Sequence, residues 1–187
     1  MKLKEMFENY VPYNEQEEKD KETILKYINT FDDVLTRENV FAHITSSAFV
    51  LNKKHDKILM IYHNIYDSWA WVGGHADGED DLLGVALRES NEETSVTKLK
   101  PISEDIFIID TIPVLGHFKR GKYVSAHTHL SVAYLIEADE DESISIKEDE
   151  NSGVEWVPLN EMVNKCTEPH MKPIYQKAID KMKEFFK

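Results

Sequence analysis

Residues Gly73–Val96 read GGHADGEDDLLGVALRESNEETSV. Two glycines open the stretch, and after a polar segment Leu82, Leu83, Ala86 and Leu87 recur on one face of a helical wheel turning about 100° per residue, a face that Ser90 and Thr94 extend. Glu89, Glu92 and Glu93 fall together on an adjoining arc in the late turns. That end of a helix is the wrong one for acids, because the aligned peptide dipoles leave partial negative charge at the last carbonyls. Like charges three or four positions apart also repel, by roughly 0.2 to 0.5 kcal/mol for each pair. A divalent cation would offset both costs. Converging carboxylates are hard oxygen ligands suited to Mg²⁺, with Mn²⁺ as a substitute. Arg88 adjoins the cluster and stands at i,i+4 from Glu92, placed to orient a carboxylate, and the Gly73-Gly74 pair lets a backbone carbonyl approach a metal where a side chain would obstruct it. Breaches of local rules of this kind tend to mark functional sites.

Outward from this stretch the pattern changes twice. From Met1 to about Thr36 it is helical, with Ile24, Tyr27, Ile28 and Phe31 at helical spacing. "HITSSAFVLN" and "KILMIYH" then read as strands joined by the turn-like "KKHD", and "SWAWV" as a further strand that places Trp69 and Trp71 on one face. Beyond the central helix come "DIFIIDTIPVLG" and "VSAHTHLSVAYLIEA", two apolar runs about the basic "HFKRGK", a hairpin signal. A short "ISI", the strand "VEWV" and the helical segments "LNEMVNK" and "EPHMKPIYQKAIDKMKEFF" close the chain. Helix, strands, helix, strands, helix is the order of an α/β or α+β sandwich.

A chain of 187 residues with 41% apolar content can bury one full core. With 22 Lys+Arg against 35 Asp+Glu its formal charge is −13, which disfavours a nucleic-acid polymer or an anionic membrane surface as partner. The single cysteine, Cys166, excludes an intramolecular disulfide and a cysteine-based zinc cluster. No segment has the length and hydropathy of a signal peptide or a membrane span, so a cytoplasmic protein is expected.

The central stretch resembles the signature of the Nudix hydrolases: glycine, five residues, glutamate, seven residues, then Arg-Glu-apolar-any-Glu-Glu-any-Gly-apolar. Gly74, Arg88, Glu89, Glu92, Glu93 and Val96 match at the right spacing. Asp80 stands where the first glutamate belongs, with Glu79 beside it; Ser90 takes the apolar position; and Ser95 replaces the glycine after the helix. Ser90 and Ser95 bear on stability, since Ser95 must end the helix without glycine's ease at positive φ. The resemblance, from about His43 to Asn160, implies an α/β/α sandwich around a mixed β-sheet, residues 37–187 forming the domain and 1–36 a helical extension outside it. It implies Mg²⁺-dependent hydrolysis of a nucleoside diphosphate linked to another group. It assigns metal binding to Glu89, Glu92, Glu93 and the Gly73 carbonyl, and the orientation of Glu89 to Arg88. A further carboxylate from a late loop is also implied: in "IKEDENSGVEWV" the candidates are Glu148, Asp149, Glu150 and Glu155, and Glu150, just before the turn signal "NSG", is favoured as proton acceptor.

Other residues carry two readings each. Tyr66, Trp69 and Trp71 could stack a base or simply pack. His127 and His129, two apart on a strand, face the same way and are either substrate contacts or ligands, or a polar pair on an exposed face. Cys166 reads as a helix filler. Two rival functions are an isopentenyl-diphosphate isomerase-like enzyme, which His75, His127 and His129 encourage but which needs a cysteine near the loop before the helix, and a Nudix-like sensor that binds a nucleotide without cutting it. A homodimer is expected, as one way to bury the stripe of the first helices.

Overall fold

The computed structural model describes residues 3–119 and 121–187; Met1 and Lys2 of the helical preface and Arg120 of "HFKRGK" lie outside the described residues. Helices α1 (Leu3–Asn9) and α2 (Glu15–Ile28) come first. Strands β1 (Ala42–Asn52), β2 (Lys57–His63), β3 (Ser68–Ala70) and β4 (Val72–His75) follow, then α3 (Leu82–Thr94). Next are β5 (Lys100–Pro101), β6 (Ile108–Val114), β7 (His117–Lys119), β8 (Lys122–Val124), β9 (His127–Ala138) and β10 (Asn151–Pro158). A 3₁₀ turn (Leu159–Glu161), α4 (Met162–Lys165) and α5 (Met171–Phe185) end the chain. The fold is α/β, a mixed sheet with helices, in which strands run in the order β10-β2-β1-β9-β5 while β3 pairs with β2, β4 with β1 and β6 with β9. No helix among the described residues is long and apolar enough to cross a membrane.

The chain divides into two compact units. The first comprises residues 1–47, 73–86 and 103–134. Helix α2 starts at Asn14, whose side chain accepts from the Glu17 N–H, a capping arrangement that satisfies an otherwise orphaned donor. The preface docks on β6. The Asp20 carboxylate accepts from the Thr111 N–H at 3.0 Å and from its hydroxyl at 2.6 Å. The Tyr10 hydroxyl donates to buried Glu17 at 2.6 Å and lies 3.2 Å from the Phe107 carbonyl. Ile24 is wholly buried, whereas Phe31 stays 39% exposed against Tyr27, so the expected four-residue stripe is only partly used. β6 pairs antiparallel with β9, Ile112 opposite His129 and Val114 opposite His127. This is the expected hairpin of the two apolar runs, and its basic tip carries a further antiparallel pair, β7 with β8.

The second unit comprises residues 48–72, 87–102 and 135–187. β10 pairs antiparallel along all of β2, Trp156 opposite Leu59 and Asn151 opposite His63. β3 returns along β2. Fully buried Phe49, Leu51, Ile58, Leu59, Met60, Val157 and Tyr175 make its core. One expectation is corrected here. The strand through "SWAWV" breaks at Trp71, where the N–H donates to the Tyr175 hydroxyl at 3.2 Å and the ring packs edge-on to Phe49 and Tyr175; Trp69 and Trp71 therefore do not share a strand face. Ser145 of the short "ISI" is committed to the end of α3: its N–H donates to the Thr94 carbonyl and its hydroxyl meets that of Ser95.

Candidate functional site

Helix α3 places the acids. Leu82, Val85, Ala86 and Ser90 are buried, with Leu83 and Leu87 half-buried, so the core face lies slightly to one side of the one read from the leucines. Glu89 is consequently half-buried, Glu92 exposed and Glu93 only 2% exposed. Ser95 ends the helix at φ 63, the left-handed conformation that glycine takes more easily. The last carbonyls are not left to solvent: Ser145 N–H donates to Thr94 O, the Asn151 amide donates to Glu93 O at 3.0 Å, and the Ser95 N–H donates to Asn91 O at 2.7 Å.

The same segment that covers those carbonyls brings in Lys147, which the sequence reading did not single out. Its ammonium lies 3.0 Å from a Glu92 oxygen and 3.1 Å from one of Glu150. Arg88 Nη1 donates to Glu89 at 2.6 Å and reaches Glu92 at 3.5 Å. Two cations of the protein thus offset part of the repulsion among acids at an unfavourable helix end. The electrostatics follow. Burial pushes the Glu89 carboxyl up, against the pull of Arg88. The hydrogen bond from Lys147 holds Glu92 below the usual carboxylate range. For Lys147 burial favours the neutral amine, but its bonds to Glu92 and Glu150 win and its pKa is raised. Glu89, Glu92 and Glu150 are therefore gathered about Lys147 and Arg88. Glu148 and Asp149 are exposed, and Glu155 is engaged by Lys165 at 2.7 Å. A lysine nine residues into an acidic loop carries no local signal that it will turn towards a helix fifty residues earlier.

Tyr66 stacks on His63 at 4.2 Å. Burial, then Glu168 and Glu93, push its hydroxyl up to about 12, so it remains a hydrogen-bond donor at neutral pH. Trp69 has the Lys165 ammonium 4.7 Å from its ring centre and Tyr62 edge-on. Gly73, in the first unit, has a local reason to be glycine: a Cβ there would meet the Ser47 hydroxyl, with Ser47 Cα at 2.6 Å and the Ser46 carbonyl at 2.7 Å. The tight packing against β1 accounts for the residue whatever its carbonyl does. Cys166 is 1% exposed, its thiol beside Ser68 and the Glu168 carbonyl.

His127 and His129 are not a pair on an open face. They are half-buried and meet His43 of β1 and His75 of β4, both in the first unit. His43 went unnoticed because its strand position gives no sign of what faces it.

Comparison with known proteins agrees with this arrangement. The NUDIX domain family profile matches residues 42–178. Over 98 residues the chain is 33% identical to a protein of Lactococcus lactis described as a probable DHNTP pyrophosphohydrolase; the match covers 52% of this chain and 56% of that one, so it spans little more than half of the relative. An Ap4A hydrolase of C. elegans, solved as a binary complex, superposes with a TM-score of 0.55 at 18% identity, covering 76% of this chain and 96% of that one. The E. coli dihydroneopterin triphosphate pyrophosphohydrolase does so with 0.53 at 14% identity, covering 73% and 94%. At such identities the structural likeness speaks for the fold.

Proposed function

Because the chain belongs to the Nudix family, we propose that it is a Mg²⁺-dependent pyrophosphohydrolase that cleaves a diphosphate linkage in a nucleoside diphosphate bearing another group. The observation that carries this reading is the gathering of Glu89, Glu92 and Glu150 about Lys147 and Arg88 at the end of α3. The donor set fits a hard divalent cation: carboxylate oxygens, one of them on a half-buried Glu89 whose charge is disfavoured by burial and would be favoured by a nearby cation. Glu89, Glu92 and Glu93 would hold the ion, which when bound supplies charge neutralisation at the phosphates and a more acidic water.

The side chains have separate tasks. Arg88 fixes the Glu89 carboxylate by a 2.6 Å hydrogen bond. Glu150, held on the rigid end of β10 by the bond between its carbonyl and the Asn64 N–H, is the proton acceptor. Lys147 pairs with Glu92 and Glu150 and adds positive charge for an anionic substrate. Tyr66 donates its hydroxyl to the substrate, and Trp69 offers the ring face away from Lys165 to a base. The family domain is taken as residues 37–187 with 1–36 as an extension, acting in the cytoplasm; a homodimer is tested by light scattering of the full chain.

The isomerase reading requires a reactive thiol, and burial pushes the Cys166 thiol up and away from reactivity. A non-cutting sensor would have no use for the carboxylates gathered at α3. The experiment is incubation with Mg²⁺ and a panel of nucleoside triphosphates, dihydroneopterin triphosphate, diadenosine tetraphosphate, ADP-ribose and nucleotide sugars, reading phosphate released after phosphatase treatment. Mg²⁺-dependent cleavage of at least one member supports the proposal. Binding without cleavage across the panel favours the sensor.

A further inference from the structure

Four histidines from three strands of the first unit converge: His43 of β1, His75 of β4, and His127 and His129 of β9. Each offers a ring nitrogen, and the four atoms lie within 4.8 Å of one another. His43 stands 4.9 Å, ring centre to ring centre, from both His75 and His127. Such a group is unusual as mere core filling, because buried polar ring nitrogens need hydrogen-bond partners and the cluster leaves one of them without any. His43 Nδ1 is 3.0 Å from the Asn39 carbonyl, and His127 Nδ1 is 2.8 Å from that of Ser125. A carbonyl can only accept, so each Nδ1 carries a proton, and Nε2 is the nitrogen that turns towards the other histidines. The His43 Nε2 is buried and has no hydrogen-bond partner among the described residues. The His127 Nε2 faces the His129 Nε2 at 3.2 Å.

The geometry points to a second metal centre, distinct from the acids of α3, in which His43, His75, His127 and His129 bind one Zn²⁺-class ion. The ligand set contains only imidazoles, which suit Zn²⁺ and its neighbours and not the hard Mg²⁺. In a tetrahedral zinc site with Zn–N near 2.0 to 2.1 Å, ligand nitrogens stand roughly 3.3 Å apart. The His127–His129 pair already has that spacing, and ring rotations would draw the wider ones together. Two of the four rings are held by a carbonyl on the opposite nitrogen, the outer-shell device that fixes a ligand's tautomer and direction. The support extends further. The Asn39 side chain accepts from the Tyr27 hydroxyl at 2.8 Å and donates to Asp33, so α2 and the loop after it hold the backbone that orients His43.

Burial disfavours the charged form of His43, His75 and His129, and the neighbouring cations Arg37 and Lys119 act in the same direction on His75. Arg37 is itself clasped by Asp77 through two hydrogen bonds of 2.7 and 2.5 Å, which tempers its field at the site. Four protein ligands fill a tetrahedral shell, so the ion would be structural, tying β1, the end of β4 and β9 together.

The test uses the full-length chain stripped with a chelator. Zn²⁺ is titrated in competition with a chromophoric chelator, and Co²⁺ is added separately to read its visible spectrum. The proposal expects one tight Zn²⁺ per chain, an intense tetrahedral Co²⁺ spectrum, and a raised melting temperature on zinc addition. Glu92→Gln should keep all three, since the acids of α3 are not involved. His43→Gln and His129→Gln should each weaken zinc by more than the roughly 100-fold that losing an outer-shell partner costs, with unchanged far-ultraviolet circular dichroism without metal. Should a buried-histidine variant fail to fold, the wild-type cobalt spectrum decides. Weak zinc binding, an octahedral cobalt spectrum, zinc retained in folded His129→Gln, or zinc lost in Glu92→Gln would each overturn the assignment.

Discussion

Replacing Glu92 by glutamine separates catalysis from folding, and the structure gives both magnitudes. The Glu92 side chain is 40% exposed and meets Lys147 at 3.0 Å and Arg88 at 3.5 Å. Exposed pairs of this kind contribute about 0.2 to 1 kcal/mol each. Against them stand relief from an acid at a helix C-terminus, about 0.3 to 1 kcal/mol, and from repulsion with Glu89, about 0.2 to 0.5 kcal/mol. The terms oppose and nearly cancel, so without metal the stability should change by about 1 kcal/mol or less, a melting shift of at most about 4 °C in a chain of this size. Turnover should fall by about 100-fold or more, because a carboxylate that holds the ion supports several kcal/mol of charge stabilisation in the transition state. Thermal denaturation of the metal-free variant and initial rates with Mg²⁺ on the best substrate of the panel give the two numbers. A rate within about threefold of wild type would refute the metal-binding role, and a melting temperature lowered by about 10 °C or more would make the acid structural.

Three further outcomes are expected. Of the amide variants at Glu148, Asp149, Glu150 and Glu155, Glu150→Gln should lose the most kcat and flatten the acid limb of its pH profile; equal rates in all four would remove the late loop from the chemistry. Burial alone raises the Glu168 carboxyl above its usual 4.5, so the folded state binds the proton more tightly than the unfolded one. Its penalty is absent below pH 4.5 and grows as pH rises through the folded value. Glu168→Gln should therefore melt higher than wild type at pH 7 and converge with it near pH 4, a pattern that parallel melting curves at every pH would contradict. Tyr10→Phe removes the 2.6 Å hydrogen bond to buried Glu17 and should cost about 1.5 to 3 kcal/mol in urea denaturation, whereas an unchanged midpoint would show that the preface contributes little to stability.

Much of the fold was legible because periodicity and turn chemistry are local. The leucines of α3, the apolar runs of β6 and β9 and the glycine-containing tip between β7 and β8 each announce themselves within a dozen residues. The acids of α3 were legible for the same reason, since helical geometry alone puts Glu89 and Glu92 side by side. What stayed hidden depends on contacts distant in sequence. Lys147 meets Glu92 at a separation of 55 residues, and it changes the answer to the charge problem of α3: the protein supplies part of the counter-charge itself. His43 joins His127 across more than eighty positions, and no pattern in "AHITSSAFV" distinguishes its histidine from any other on a buried strand. Trp71 reads as a strand residue because alternation cannot register that Tyr175, a hundred residues on in α5, takes its N–H.

The central claim is that the acids at the end of α3 hold the hard divalent ion on which hydrolysis depends. Mn²⁺ tests it directly, since the electron paramagnetic resonance signal of the free ion disappears when it is bound. Titrating metal-stripped wild type, Glu92→Gln and Glu93→Gln should show saturable loss of the free signal in wild type, tracking the rise of hydrolysis in the same samples, and marked weakening in both variants. Identical Mn²⁺ binding in all three chains, or hydrolysis at full rate with every Mn²⁺ ion still free, would contradict the account.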